Sequence, residues 1–119
     1  MRAKDATGAY GERLAAAYLE RVGMTVLERN WRCSDGEIDL IASDGDVVVF
    51  CEVKTRSGLA FGHPAEAVVG AKAARLRGLA IRWLAEHDSH WRELRFDVVG
   101  VLRPPNGAAP SVTHLRGAF

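Results

Sequence analysis

The chain has 119 residues, of which 48% are hydrophobic and 26% charged, and its net charge is +1, which fits one domain with a single core. No apolar run approaches the ~20 residues that a membrane-spanning helix needs, and the first residues lack the apolar segment of a secretory signal, so we expect a cytoplasmic protein with no membrane segment. Cys33 and Cys51 are too few for a disulfide framework and lack the paired spacing of a zinc site, so two reduced thiols are expected.

The charges are unevenly distributed along the chain. Six acidic residues and no basic ones lie between Asp35 and Glu52, whereas the rest of the chain carries all 16 basic residues against nine acidic ones, a balance of +7. An acidic patch in a basic surround fits a cation site that meets a polyanion. Asp35, Asp44 and Asp46 are accounted for as loop or turn residues, but this does not explain Asp39 or Glu52.

The first predicted element is a helix from Gly8 to Val22, which follows a stretch at residues 1–7 that we expect to be flexible. Its apolar residues recur at steps of three and four and form one face, made of Gly11, Leu14, Ala15, Tyr18 and Val22. Glu12 falls at the edge of this face, on the boundary between core and solvent. Because the helix dipole alone favours an acidic residue in the first turn, this position does not by itself indicate a function.

Three strands follow, at Met24–Arg32, at Gly36–Ile41 and at Val47–Thr55. A tight turn at Asp44–Asp46 joins the second and third strands as a hairpin. Residues 47–50 are apolar on both faces of the third strand, which predicts a central strand that is covered on both sides.

Three charged residues are expected on one face of this hairpin. Residues two apart on a strand point the same way, so Glu52 and Lys54 share a face while Val53 points to the other. The hairpin brings Asp39 within reach of Glu52. Two adjacent carboxylates are costly to fold unless a cation lies between them. Glu52 and Lys54 lie at the end of a buried strand, where sites in open α/β sheets are found.

A loop at Ser57–Pro64 and a long helix at Ala65–Glu86 come next. The loop directly follows the charged strand end, and loops in that position often cover or contact a ligand. His63 is a candidate functional residue of this loop, although a loop histidine beside a proline is more often structural or solvated.

The second helix also carries basic residues that could meet a polyanion. Lys72 lies in the middle of the apolar stripe, so it either extends its stem out to solvent or reaches an anionic partner at the sheet. Arg75 and Arg82 lie at the border of the stripe and could contact phosphates, the alternative being a solvated basic face. Arg56, just beyond the charged strand end, is a further candidate contact with nucleic acid.

A fourth strand is predicted at Arg95–Leu102, followed by a Pro/Gly-rich stretch at about residues 103–110 that we expect to be flexible and a short edge strand at Ser111–Leu115. The first three strands have short connections and are therefore antiparallel neighbours, whereas the helix after the third strand makes a crossover. The sequence thus predicts one α/β domain over residues 1–119, with a mixed central sheet flanked by helices.

The charged set on the hairpin suits phosphodiester hydrolysis, which needs a nucleophilic water, neutralisation of charge on phosphorus and help for the leaving oxygen. A hard divalent cation supplies much of all three, and Mg²⁺ prefers carboxylate oxygens and waters as ligands. Asp39 and Glu52 would hold the ion, together with the backbone carbonyl of Val53. Lys54 would orient the attacking water or stabilise the charge that builds on the phosphate.

Three further acidic residues could support this site. Glu12, brought over by the first helix, would be another metal ligand and catalytic residue, or an acceptor for a water on the metal. Glu37 shares a face with Asp39 and is the other candidate. Asp97, at the start of the predicted fourth strand, could contact the residues that hold the metal without binding the metal itself, although an aspartate in that position is often only a turn partner.

Several motifs in combination resemble the YraN-like family of small bacterial proteins, and the resemblance covers about residues 8–101. They are G-E-x-x-A-x-x-Y-L from Gly11, GEIDLI from Gly36, FCEVKTR from Phe50, FGHP from Phe61 and RFDVV from Arg95. That family looks like a member of the PD-(D/E)xK nuclease superfamily and is similar to the archaeal Holliday junction resolvases. The resemblance implies a restriction-endonuclease-like αβββαβ core and a nuclease site that depends on Mg²⁺ or Mn²⁺.

The resemblance can be carried over residue by residue. Glu12 matches the helix glutamate, Asp39 the motif aspartate, Glu52 the second acid and Lys54 the motif lysine. Ile38 stands where the nominal motif has proline, a departure that is common in the superfamily and leaves the acid in place.

The leading hypothesis is a metal-dependent endonuclease acting on DNA, with branched or structured DNA as a candidate substrate. The alternative is a nucleic-acid-binding module that keeps the fold without useful catalysis, motivated by the modest net charge. A weaker third hypothesis is a structural partner in a larger DNA-processing assembly. Resolving a junction takes two symmetric cuts, which would predict a homodimer with two-fold symmetry.

Overall fold

The computed structural model describes residues 6–57, 70–87 and 90–119. Its helices and strands are, in chain order, α1 (Ala6–Arg21), β1 (Thr25–Cys33), β2 (Gly36–Asp44), β3 (Val47–Ser57), α2 (Gly70–Glu86), β4 (Glu93–Arg103) and β5 (Ser111–Leu115). A short 3-10 turn at Pro105–Gly107 separates the last two strands.

The five strands form one mixed sheet in the order β1-β2-β3-β4-β5. The pairs β1–β2, β2–β3 and β4–β5 are antiparallel, and β3–β4 is parallel. Strand β3 is central, in agreement with its run of residues that are apolar on both faces. The predicted mixed sheet flanked by helices is therefore confirmed, and it is compatible with a restriction-endonuclease-like core.

Each face of the sheet is covered by one helix and carries its own hydrophobic core. The α1 face buries alternate residues of β3 against the helix, namely Val47, Val49 and Cys51 against Ala15, Ala16 and Leu19. The α2 face buries the intervening residues, Val48 and Phe50, against Leu76, Leu79 and Trp83. Since side chains alternate along a strand, Glu52 and Lys54 continue the series that faces α2.

Strand β2 departs from regular alternation at Asp39. Ile38 packs in the α2 core, whereas Leu40, two residues further on, packs in the α1 core. Backbone pairing between β2 and β3 runs from the hairpin turn as far as Leu40 and Cys51 and ends there. On the neighbouring strand β1, Asn30 has a positive φ of 52°. The two strands are thus locally distorted beside Asp39, and β2 separates from β3 at this residue.

The predicted element boundaries that fall within the described residues lie within about three residues of those in the structure. Residues 1–5 and 58–69 lie outside the described part of the chain, so the predictions for His63, for its loop and for the helix start at Ala65 fall outside it too. Within the described ranges, neither helix is long and apolar enough to cross a membrane.

Candidate metal and nucleic-acid site

A cleft of about 610 Å³ opens where β2 separates from β3, on the face that α2 covers. Its floor contains the charged residues at the ends of the two strands, and its far wall is the first half of α2. Thirteen residues line it: Arg32, Cys33, Ser34, Gly36, Glu37, Asp39, Glu52, Val53, Lys54, Lys72, Arg75, Leu76 and Leu79. The structure therefore brings Asp39, Glu52 and Lys54 to one cleft.

The carboxylate of Asp39 is hydrogen-bonded to β3, the strand from which β2 separates. Its Oδ2 accepts a hydrogen bond of 2.9 Å from the backbone N–H of Val53, and the residue is only 7% exposed. The carboxylate thus occupies a position that a strand carbonyl would take if the antiparallel ladder continued. This contact fixes the carboxyl of Asp39 beside that of Glu52, with which it is within hydrogen-bonding reach.

The carboxyl of Glu52 is buried next to a second acid. Only 9% of the residue is exposed. Burial, followed by the hydrogen bond and negative charge of Asp39, raises the pKa of Glu52 to about 7, although the nearby ammonium of Lys72 lowers this pKa in part. Because these effects disfavour the ionised form of Glu52, a nearby cation is needed to keep this carboxyl group ionised at neutral pH.

The ammonium groups of two lysines lie within 4 Å of the same oxygen of Glu52. The Nζ of Lys72 is 2.5 Å from Oε2, and the Nζ of Lys54 is 3.9 Å from it. The pKa of Lys54 is lowered, first by burial and then by Lys72. Burial opposes the charged form of Lys72 as well, but its contacts with Glu52 and Lys54 outweigh burial, and its pKa is raised.

The contact between Lys72 and Glu52 is an ion pair without the angles of a hydrogen bond. Within the described residues, Oε2 of Glu52 is buried and has no well-oriented donor, so this oxygen keeps a lone pair for a further ligand. Together with the carboxyl of Asp39 it fits a hard cation such as Mg²⁺, which is often bound through one or two carboxylates and otherwise by water and substrate oxygens. No set of three His, Cys, Asp or Glu side chains that could hold a metal occurs in the ranges described.

The two other acids predicted near the site occupy different positions. Glu37 lines the cleft, where its Oε2 lies 3.4 Å from Nε of Arg32. Glu12 is buried on α1 and does not line the cleft. Its neighbour Gly11 packs directly on Thr55, the residue after Lys54, so the start of α1 abuts the same end of β3. The predicted roles of Glu12 and Glu37 stay predictions, as does the carbonyl of Val53 as a ligand.

The predicted basic contacts separate into two groups. Lys72 and Arg75 line the cleft, and Arg56 is exposed at the end of β3. Arg82 does not line it and is held by Glu86 and Asp35, each at 3.2 Å.

Asp97 faces away from the cleft, on the side of the sheet that α1 covers. It is fully buried, and its oxygens accept from Nε of Arg95 at 2.8 Å, from Nε2 of His114 at 2.7 Å and from the backbone N–H of Gly117 at 3.0 Å. The pKa of Asp97 is lowered because, although burial raises it, these donors together outweigh burial. The structure does not bring Asp97 to the cleft; its partners instead join β4, β5 and, through Tyr18, α1.

Sequence reasoning assigned no role in the site to three polar residues that line the cleft. Arg32 and Cys33 end β1, and Ser34 follows them. Their signal is weak, since an arginine and a cysteine at a strand end occur in many proteins. The sequence left two environments possible for Lys72, solvent or an anionic partner at the sheet, so it did not by itself predict the ion pair with Glu52.

The comparisons with known proteins cover nearly the whole chain. The model of the family described as "Uncharacterised protein family UPF0102" matches residues 11–101. Similar proteins include a UPF0102 protein of Beutenbergia cavernae, 68% identical over 117 residues (98% of each chain). Others are those of Frankia alni, 60% identical over 119 residues (100% of this chain and 98% of the relative), and Nocardia farcinica, 54% identical over 116 residues (98% and 91%). The family indicated by the sequence motifs is confirmed: the chain belongs to UPF0102, the YraN family.

Proposed function

We propose that the protein is a metal-dependent endonuclease that hydrolyses phosphodiester bonds in DNA, with branched or structured DNA as the candidate substrate. The observation that carries the proposal is the cleft in which Asp39, Glu52 and Lys54 lie together between the ends of β2 and β3. The resemblance of the motifs to PD-(D/E)xK nucleases supports the same chemistry. Two buried acids and a lysine at an open, basic-walled cleft are otherwise costly to assemble.

Each residue of the cleft has a distinct part in this proposal. Asp39 and Glu52 would hold Mg²⁺ or Mn²⁺, which when bound supplies an activated water and neutralises charge on the phosphate. Lys54 donates hydrogen bonds to the phosphate oxygen on which charge develops. Arg32 and Arg75, at the rim, bind neighbouring phosphates of the strand and fix its position along the cleft.

A nicking assay tests the proposal. Duplex, single-stranded and four-way-junction DNA are incubated with the protein in Mg²⁺ or Mn²⁺, and cleavage that chelation stops is expected for at least one of them. Asp39→Asn keeps an acceptor for the N–H of Val53 but loses the charge, so it should abolish cleavage while leaving the fold intact. The matched control is Asp46→Asn, which removes one carboxylate from the exposed hairpin turn. Loss of cleavage of equal size in both variants would contradict the assignment.

The alternative, a nucleic-acid-binding module without useful catalysis, has one observation in its favour. The described residues offer two adjacent carboxylates rather than three metal ligands. One of these carboxylates, that of Glu52, already forms an ion pair with Lys72. Calorimetric titration with Mn²⁺ separates the two functions. The nuclease requires Mn²⁺ binding that Asp39→Ala abolishes, whereas DNA binding that is unaffected by metal, with no cleavage of any substrate, would favour the binding module.

A further inference from the structure

Lys72 occupies a position that is unfavourable for a cation. It lies in the first turn of α2, which carries no acidic residue. The backbone N–H groups at a helix start already carry partial positive charge, so an ammonium there is opposed by the helix dipole. Burial opposes its charge too. A residue that breaks these local preferences indicates either a compensating contact or a functional role.

The compensating contact is the ion pair with Glu52. The Nζ of Lys72 is 2.5 Å from Oε2, closer than that of Lys54 at 3.9 Å. The side chain of Lys72 is 36% exposed, so its stem has room to turn towards solvent. The Oδ2 of Asp39 accepts a hydrogen bond from the backbone N–H of Val53, whereas the positive charge beside Glu52 comes from a partly exposed lysine, whose four-carbon stem is flexible. Of the two acids, Glu52 is therefore the one whose counter-ion can be exchanged.

We infer that Lys72 is a positioning residue that serves as the counter-ion of Glu52 in the metal-free protein and competes with the divalent cation for this carboxylate. The inference rests on the metal site of the proposed function. Binding of the cation to Asp39 and Glu52 then releases the ammonium of Lys72 from Oε2. The cleft keeps its acids compensated in both states, because one positive group leaves Glu52 as another arrives.

The first test is calorimetric titration of the full chain with Mn²⁺ alone, at one pH and ionic strength. Lys72→Met keeps a stem of similar length and removes the charge, and it should bind Mn²⁺ about tenfold more tightly than the wild type because no competitor must be displaced. Arg75→Met is the matched control, since Arg75 lines the same cleft and makes no ion pair with any residue the structure describes. It removes the same charge and should change the affinity by less than about threefold. Lys72→Arg, which keeps the charge, should stay near the wild type.

The second test is thermal unfolding with and without metal. Without Mn²⁺, Lys72→Met should melt about 4 °C below the wild type, because Glu52 has lost its nearest counter-ion. At saturating Mn²⁺ this difference should vanish, since the ion pair is absent from both proteins. The two measurements are linked by one thermodynamic cycle, so they must agree in sign.

The outcomes separate this inference from the proposed function. If the wild type binds Mn²⁺ but Lys72→Met binds it equally or more weakly than Arg75→Met, the competition is refuted while the metal site stands. A melting difference that persists at saturating Mn²⁺ refutes it as well. If neither the wild type nor Lys72→Met binds Mn²⁺, both the inference and the proposed function fall. Binding by Lys72→Met alone would support competition strong enough to mask the site.

Discussion

The close packing of α1 against the end of β3 requires a residue without a side chain at Gly11. A Cβ placed on Gly11 would lie 1.7 Å from Oγ1, 2.8 Å from Cβ and 2.9 Å from Cγ2 of Thr55, whereas ordinary contacts begin near 3.4 Å. No rotamer of Thr55 relieves all three, because its Cβ is fixed to the strand backbone. Gly11→Ala must therefore shift α1 away from the sheet.

The size of the effect follows from two opposing terms. Alanine gains about 1 kcal/mol over glycine in a helix, and overpacking a closely fitted contact costs about 1–3 kcal/mol, occasionally more. Because the clash here includes backbone-fixed atoms, we expect the upper part of that range and a net loss of about 2 kcal/mol in the free energy of unfolding. Urea unfolding followed by circular dichroism measures it.

Gly78→Ala is the matched control, because Gly78 lies within α2 and a Cβ there meets nothing within 4 Å. It should be more stable than the wild type by about 0.5–1 kcal/mol from helix propensity alone. Thr55→Ala removes two of the three clashing atoms and should recover part of the loss in the double variant with Gly11→Ala. If Gly11→Ala is as stable as the wild type, or gains as much as Gly78→Ala, the close seating of α1 is refuted.

Three more outcomes are expected. Because the pKa of Glu52 is raised from 4.5 to about 7, the metal-free folded protein holds that proton more tightly than the unfolded chain. Its stability should therefore fall as the pH rises from about 5 to about 8, by up to about 3 kcal/mol. Glu52→Gln should flatten this dependence in urea unfolding, and an unchanged slope would contradict the assignment. Asp97→Asn should cost about 3 kcal/mol, since it leaves Arg95 and His114 without their buried charge partner; Mn²⁺ affinity should not change, and a weakened affinity would connect this network to the cleft. Lys54→Met should slow DNA cleavage about 100-fold with Mn²⁺ binding retained, whereas loss of Mn²⁺ binding would reassign the lysine from the phosphate to the metal site.

The order of the sheet could be predicted because its signals are local or depend on connection length. A strand that is apolar on both faces, β3, must be covered on both sides, and short links make its predecessors antiparallel neighbours. The position of Glu52 and Lys54 on one face follows from alternation. These inferences needed no knowledge of the other contacts in the fold.

The face of Ile38 could not be predicted, because alternation fails at the neighbouring Asp39. The contacts of Asp97 were hidden for another reason. Its donors Arg95, His114 and Gly117 come together through the pairing of β5 with β4, and an aspartate within a predicted strand gives no local sign of them. Lys72 was undecided because a flexible stem reaches either solvent or the sheet, and only the packing of α2 selects Glu52.

The distortion at Asp39 connects the fold to the site. Ending the β2–β3 ladder at Leu40 and Cys51 leaves the N–H of Val53 in need of an acceptor, and the carboxylate of Asp39 supplies it. The same separation of strands opens the cleft that Glu52 lines. An alanine at residue 39 would lose both the acceptor and the charge, whereas an asparagine would lose only the charge. The structural and chemical roles of Asp39 are therefore separable by substitution, even though one carboxylate performs both.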